Sequence, residues 1–512
     1  MNARWIGDRE SLGMVALALI VGGMGGLAGV ALRACVFALQ GMFVIEDAPA
    51  RALLGPYLSV FFPAVGGLVV GILVVGLAQE VKGAGVADVV RAVRFQGSRM
   101  RAWVAAVKVV ATSIAIGSGG SAGIEGPIIQ IGSAIGSGVG QRLRLPEDEM
   151  RIALAAGAAA GIAATFNTPL AGIFFALEVI LVDFSSRSFG LVVLASVVAN
   201  VVSRVFLGGE PIFPVSAHPL VSPAELLLYL VLGVAAALVG LAFILVLDQV
   251  EAAFYRWQVP VFVKPAIGAL AVGILGLGFP QILGLGYRSI GDALSGELPV
   301  ALMATLIGVK LAAVALTVGS GSSGGVIGPS LYLGAMLGGT AGSLIHGLLP
   351  QATAGSGAYA SVGMAAVFAA TAQAPITAVF TIFEMTNDYY QILPLLVACS
   401  TSAYLAHRVS PHTIYSRSLQ RQGIDLQTGR VSLPPLHGTM YLHLVVGKGS
   451  DAVGKRVKEL DLPPECILIS VRRRDEVVIP RGNTDLRAGD RIIAAATPKT
   501  AAIVRHRIEG QG

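Results

Sequence analysis

Charge is what this chain has little of. Its 36 Lys and Arg and 30 Asp and Glu make up 13% of 512 residues, roughly half the share of an ordinary soluble protein. Cysteine is scarcer: Cys35, Cys399 and Cys466 are odd in number and far apart, so they imply no disulfide or metal framework. The 7 histidines form no HExxH or CxxC…H pattern, so neither a metal nor a cofactor is expected. No nucleophile–base pattern is present either, and an enzyme is not expected. The net charge of +6 is modest. It reads as solvated loop charge and points to no nucleic-acid partner.

What fills the space is apolar. Hydrophobic residues make up 54% of the chain, and the mean hydropathy is +0.76. Residues 13–32, 57–78, 188–207, 225–247 and 391–406 are long apolar stretches, each near the ~20 residues that cross a bilayer as a helix. The expectation is an all-α polytopic membrane protein seated in the lipid bilayer. The charged start MNARWIGDRE precedes an apolar stretch too long for a signal-peptide core, and reads as the lead-in, residues 1–12, to the first membrane helix. Arg91, Arg94, Arg99 and Arg101 share one short loop, and Arg142, Arg144 and Arg151 cluster likewise. The positive-inside rule places such loops in the cytoplasm.

The composition changes near residue 409. A polar stretch runs to about 436, with 426–439 as a linker, and residues 440–508 read as a small soluble α/β domain. Its runs are YLHLVV, a helical DAVGKRVKEL, CILISVRR, EVVIP and RIIAAA, punctuated by turn residues.

The apolar part repeats itself. GSGGSAGIEGPIIQIGSAIGSGVG starts at 117 and GSGSSGGVIGPSLYLGAMLGGTAG at 319, an offset of 202. Lys108 pairs with Lys310 at the same offset. GAAAGIAATFNTPLAGIFFALE from 157 matches GMAAVFAATAQAPITAVFTIFE from 363 at offset 206, pairing Thr165, Pro169 and Glu178 with Thr371, Pro375 and Glu384. The chain is therefore two homologous halves, about 13–207 and 222–408. Such repeats, often of inverted topology, mark transporter folds. Residues 128–140, 152–164 and 330–342, bounded by Gly or Pro, predict half-helices of about 13 residues that end inside the protein.

Each glycine-rich run leads into Pro127 or Pro329, and Pro is favoured where a helix opens because that N–H has no partner. The residues just before then hold a helix N-terminus, whose N–H groups and positive dipole end receive an anion without a formal positive charge. Glycine lets the backbone approach it closely. Close helix packing is the other use of such glycines, and it suits Gly132, Gly136 and Gly140 and their copies Gly334, Gly338 and Gly342. Between Lys108 and Arg142, Glu125 is the one ionisable side chain, and its repeat partner is Ile327. An acid kept in one copy alone is a functional candidate. Ionised, it can occupy an anion site itself; protonated, it must leave. It reads as a gate and a proton carrier.

These residues resemble the CLC family of voltage-gated chloride channels and chloride/proton antiporters over about residues 13–425. GIEGP at 123–127 resembles the family's GREGP, which implies that Glu125 is the external gating glutamate, with Gly123, Ile124 and Gly126 around it. GGVIGP at 324–329 resembles GGIFAP, which implies chloride binding at Gly325, Val326 and Ile327. FNTPLAGIFFALE from Phe166 and APITAVFTIFEMTNDYYQILP from Ala374 are further matches. IYSRSLQRQG from Ile414 resembles the last membrane-associated helix, which implies that Tyr415 is the central tyrosine facing the ion.

Three positions depart from the pattern. The family's GSGIP is GAGVA here, so Gly83, Ala84 and Gly85 line the site without the serine hydroxyl. Ile124 replaces the arginine of GREGP. Val179 stands where the internal proton-pathway glutamate is expected. The tail, with VIPRGNTDLRAGDRI, resembles a TrkA-C (RCK-C) domain, which implies a regulatory module for an unidentified small ligand.

The resemblance implies chloride and protons as cargo, a homodimer with one path per subunit, and residence in a bacterial inner membrane with cytoplasmic termini. Chloride/proton antiport is the expected activity, a proton-gated chloride channel the alternative. TVGSG at 317–321 leaves a remote potassium reading, since a potassium filter needs carbonyls facing the ion.

Overall fold

A computed structural model describes residues 9–510 except 45–47, 59, 422, 426–429, 432–439, 448, 464–465, 474–475, 479, 481 and 498–499. Most of the expected linker and the first eight residues thus lie outside the described residues. The chain divides into two compact units, Met1–Leu419 and Gln420–Gly512.

The first unit is helical and doubled. Its first half runs α1 (Arg9–Phe43), α2 (Pro49–Leu58), α3 (Phe61–Gly76), α4 (Val86–Phe95), α5 (Val104–Gly117), α6 (Glu125–Arg142), α7 (Glu147–Phe166), α8 (Pro169–Phe175) and α9 (Ser186–Leu207). Its second half runs α10 (Glu225–Arg256), α11 (Lys264–Gly278), α12 (Tyr287–Leu294), α13 (Val300–Gly319), α14 (Ile327–Leu348), α15 (Ser356–Ala372), α16 (Pro375–Thr386) and α17 (Ile392–Val409), followed by α18 (Ile414–Arg421). Apart from α2, every helix of the first half has a counterpart in order. The packing is doubled too: α6 lies on α7 as α14 lies on α15, and α1 crosses α9 as α10 crosses α17. Among the described residues, 6 helices are long and apolar enough to cross a membrane.

Helix ends recur at matching places. Asn167 (φ 56°) and Gln373 (φ 52°) end α7 and α15 in the left-handed region, and Pro169 and Pro375 start the next helix. α5 stops at Gly117 after 14 residues, roughly 21 Å at 1.5 Å per residue, too short to cross alone.

Two expectations for this unit need correction. The stretch 57–78 is no single span, because α2 ends at Leu58 and α3 has 16 residues. The supposed half-helices are longer than about 13 residues: α6 has 18, α7 20 and α14 22. Their glycines do not end the helices but let them touch. A Cβ on Gly132 would stand 2.0 Å from the Gly157 carbonyl, and one on Gly334 2.2 Å from the Gly363 carbonyl. Glycines here substitute backbone contact for side-chain packing. Helix α1 starts at Arg9, inside the expected lead-in, and its candidate membrane span runs Leu12–Phe43.

The second unit begins with a two-stranded pair, β1 (Ile424–Asp425) and β2 (Arg430–Val431). An antiparallel sheet follows, of β3 (Met440–Val445), β4 (Ile467–Arg473), β5 (Glu476–Val478) and β6 (Arg491–Ala496), in the order β3-β6-β4-β5. Alternation in β3 sends Leu442 and Leu444 to a core shared with Val471, Leu486, Ile492 and Ala494. Helix α19 (Ala501–Glu509) closes it with Val504 and Ile508, four apart on one face. DAVGKRVKEL is not the expected helix. Gly454 turns to φ 79°, and the N–H groups of Gly454, Val457 and Lys458 donate across to Leu486, Thr484 and Gly482. Only Val457–Glu459 makes a short 3-10 turn.

Candidate functional site

Two buried lysines organise the centre of the helical unit. Lys108 of α5 donates to the carbonyls of Val81 and Gly83, both at 2.8 Å. Lys310 of α13, its repeat partner, donates to Ile282 at 2.9 Å and Gly284 at 3.2 Å. Each ammonium is fully buried and fastens an irregular loop, where a buried cation must find acceptors.

The loops then join across the halves. Gly83 N–H donates to the Ser322 carbonyl at 3.0 Å. Thr112 and Ser323 share a hydroxyl hydrogen bond of 2.9 Å. Gly123 N–H donates to Gly325 at 2.9 Å, and Gly325 N–H returns to Gly123 at 2.6 Å. Gly83, Gly123 and Gly325 are therefore framework. Their N–H groups are engaged in these bridges.

The donors that remain belong to two helix N-termini. α6 opens at Glu125 after Ile124, and α14 at Ile327 after Val326. The first-turn N–H groups of a helix have no intrahelical acceptor. Pro127 and Pro329, third in their helices, carry no N–H, so Glu125 and Gly126, with Ile327 and Gly328, hold those donors. The two ends are close: a Cβ on Gly126 would lie 2.2 Å from the Ala84 carbonyl and 3.1 Å from Gly325 Cα.

Glu125, 3% exposed, reaches from one half to the other. A Cβ on Gly328 would meet its Oε1 at 2.6 Å and Oε2 at 2.8 Å. The carboxylate thus lies against the first turn of α14, with the Gly328 amide facing it. Oε1 accepts a hydrogen bond from the Tyr287 hydroxyl at 3.0 Å. Oε2 is buried and, among the described residues, has no hydrogen-bond partner.

Of the other expected residues, Ala84 presents its carbonyl to Gly126 and brings no hydroxyl. Gly85 sits at φ 83° in front of α4, beside Gln130. Tyr415 on α18 is buried, with its ring 6.5 Å from Phe175. Among the described residues its hydroxyl has no hydrogen-bond partner, and Glu125 acts on it electrostatically. Tyr287 is the residue that the sequence reading missed. The signal available was the repeat: GLGYR at 284–288 answers GAGVA at 83–87, 201 residues on.

Glu178 and Glu384 do something else. Glu178 accepts from the N–H of Ile376 and Thr377, and Glu384 from those of Leu170 and Ala171. Each carboxylate caps the other half's helix, α16 or α8. The TVGSG segment offers no carbonyl ring, since the Thr317 and Val318 carbonyls accept from Ser322 and Gly321 N–H. Among the described residues, no group of three or more His, Cys, Asp or Glu could hold a metal.

Known proteins share this plan. Residues 66–407 match the voltage gated chloride channel family, and residues 442–508 match the TrkA-C domain. The chain is 33% identical over 426 residues to the H(+)/Cl(-) exchange transporter ClcA of Salmonella arizonae, covering 81% of this chain and 89% of that one. It is 35% identical over 428 residues to chloride channel protein CLC-e of Arabidopsis thaliana, covering 76% of this chain but 59% of that longer relative. The crystal structure of a slow cyanobacterial Cl-/H+ antiporter superposes with a TM-score of 0.75 at 25% identity, covering 80% of this chain and 97% of that one. The chain is an integral membrane protein of the CLC chloride channel and transporter family, a family of anion transport proteins rather than enzymes, and it carries a TrkA-C domain at its C-terminal end.

Proposed function

We propose that the protein exchanges chloride for protons across the membrane, with Glu125 as gate and outer proton carrier. The observation that carries this reading is the seat of the Glu125 carboxylate on the first turn of α14. That N-terminus is where a small anion gains most from backbone N–H groups, and an ionised carboxylate there excludes a competing anion. A protonated Glu125 has no charge to hold it and gives the place up. Donors for the anion come from Gly126, Ile327 and Gly328, with the amides of Ile124 and Val326 just ahead of the two helices. The unpartnered Tyr415 hydroxyl offers a further contact, and Ala84 leaves its side to backbone and water. The exchange activities named for the Salmonella and cyanobacterial relatives support coupling.

The reciprocal contacts fit two halves of inverted topology related by a two-fold axis through the site. One chain then completes one path, and two chains form a homodimer. Arg94 and Arg151 line a single cavity of about 500 Å³, which fits a cytoplasmic face in a bacterial inner membrane, with both termini on that side. Chain 440–508 serves as a regulatory module that takes a small ligand.

One observation favours a second reading, a proton-gated channel. Val179 cannot carry a proton inward, and Glu178 is engaged in capping α16. Proton exchange then needs water in the inner half of the path. Purified protein in liposomes with opposed chloride and potassium gradients tests the shared claim. A chloride-selective potential supports it, and a potassium potential overturns it.

A further inference from the structure

A cavity of about 430 Å³ opens beside the gate, between α1, the 208–224 loop and α12. Arg33, Phe37, Phe213, Tyr287 and Arg288 are among its lining residues. It lies at the opposite end of α7 from the Arg94–Arg151 cavity, since Arg33 donates to the Thr165 carbonyl at 3.2 Å. Under the positive-inside orientation it therefore faces outward.

Tyr287 stands between this cavity and the buried carboxylate. Its ring is fixed by Phe37, centroid to centroid 6.5 Å, and by Phe213 at 5.6 Å, edge on. Phe213 is itself anchored, donating its N–H to the Met385 carbonyl at 3.0 Å, and the Arg33 guanidinium lies 5.6 Å over Phe37. The ring has little freedom, so the hydroxyl is aimed at Glu125 by packing.

We propose that Tyr287 is a latch, a positioning residue whose hydroxyl holds the ionised Glu125 against α14 at the floor of the outward cavity. The proposal rests on the reading that Glu125 gates the path. A phenol donates more strongly to a carboxylate than to a neutral carboxyl, so the latch grips the closed, charged form and loosens when a proton arrives. The other titratable groups acting on Glu125 or Tyr287 are Lys310 from α13, Tyr415 from α18 and Arg33 from α1. Lys310 donates to the carbonyls of Ile282 and Gly284 and Arg33 to that of Thr165, whereas the Tyr287 hydroxyl donates to Oε1. The latch is also peculiar to one half, because the counterpart of Tyr287 in GAGVA is Val86. It therefore sits in the same asymmetric place as Glu125, which faces Ile327 in the repeat.

The test is anion flux against pH in proteoliposomes for the unsubstituted protein, Tyr287→Phe, Glu125→Gln and the double variant. Phe keeps the ring between Phe37 and Phe213. Losing the donor favours the protonated carboxyl, so the Tyr287→Phe flux profile moves toward higher pH, by about one pH unit for one charge-assisted hydrogen bond. Adding Tyr287→Phe to Glu125→Gln changes nothing further. An unmoved profile in Tyr287→Phe overturns the latch, and so does an equal change in both backgrounds. Should the Phe variant not fold, 3-fluorotyrosine at position 287, a stronger donor on the same ring, moves the profile toward lower pH; no movement overturns the proposal. Loss of pH dependence in Glu125→Gln is read separately, so the gate and its latch fail independently.

Discussion

Gly123 exchanges both of its backbone hydrogen bonds with Gly325, its own counterpart 202 residues further along the chain, at 2.9 and 2.6 Å. A residue that pairs with its own copy lies beside the axis relating the copies. Phe174 does the same, stacking on Phe380 at 4.5 Å across the 206-residue offset. The ion site we propose is thus built on the seam between the halves, and at Gly123 and Gly325 the seam has no room for a side chain.

The seam predicts different outcomes for its two glycines. A Cβ on Gly123 would stand 2.0 Å from Glu125 Oε2, the end of a flexible side chain, whereas one on Gly325 would stand 2.7 Å from the Gly126 backbone nitrogen. Gly123→Ala should push the carboxylate off α14 and give flux with weakened pH dependence, as in an opened gate. Gly325→Ala has no movable neighbour and should lower the yield of folded protein, measured by size-exclusion in detergent. A pH profile of Gly123→Ala identical to that of the unsubstituted protein would contradict this placement of Glu125.

Glu178 and Glu384 give a stability prediction. Each caps a helix of the other half through two backbone N–H groups, and Thr377 adds a hydroxyl to Glu178 at 2.6 Å. Glu178→Gln and Glu384→Gln should each cost about 1–3 kcal/mol, read as earlier thermal unfolding in detergent. Proton coupling should persist in both. Coupling lost in Glu178→Gln at unchanged stability would make Glu178 the inner proton carrier after all.

The tail gives a pH prediction. Asp490 is buried and receives two hydrogen bonds from Arg473, at 2.7 and 2.9 Å, and one from Arg487 N–H at 2.9 Å. Burial alone would raise its carboxyl, but these hydrogen bonds and the charges of Arg473 and Arg487 hold it below the usual carboxylate range. A depressed folded value means that its stabilisation is fully present above the unfolded value of about 4. It is lost as pH falls through the lower folded value. Asp490→Asn should therefore speed amide exchange in β6 at pH 7 and make little difference once the pH is well below 3. Equal exchange of the two proteins at pH 7 would refute the role.

Removing the tail near residue 430 should leave chloride selectivity intact and change the rate or its regulation. The residues proposed to bind the anion and gate the path all lie in the first compact unit. A well-folded truncation that has lost selectivity would contradict this division.

Much of this was legible in the sequence for a physical reason. Glycine runs, a lone acid and repeated lysines survive only where backbone and charge are used directly, so Gly123, Glu125 and Lys108 announce themselves. The packing of Gly132 and Gly136 followed from their four-residue spacing. Helix lengths did not, because glycine in a packed membrane helix, as at Gly132 in α6, marks contact rather than an end. Nor did the latch we propose: the repeat sets Tyr287 opposite GAGVA, but its reach to Glu125, 162 residues away in the chain, shows only in the fold. The loss of DAVGKRVKEL as a helix has the same origin, since the acceptors for its N–H groups lie in residues 482–486.

Coupling of chloride to protons is what separates exchange from a gated channel. The direct measurement imposes a chloride gradient across proteoliposomes at zero pH gradient, with the potential clamped by potassium and valinomycin. Exchange predicts uphill proton movement driven by chloride, absent in Glu125→Gln while chloride flux continues. Chloride flux without proton movement, in a preparation shown to be active, would contradict exchange and leave a proton-gated channel.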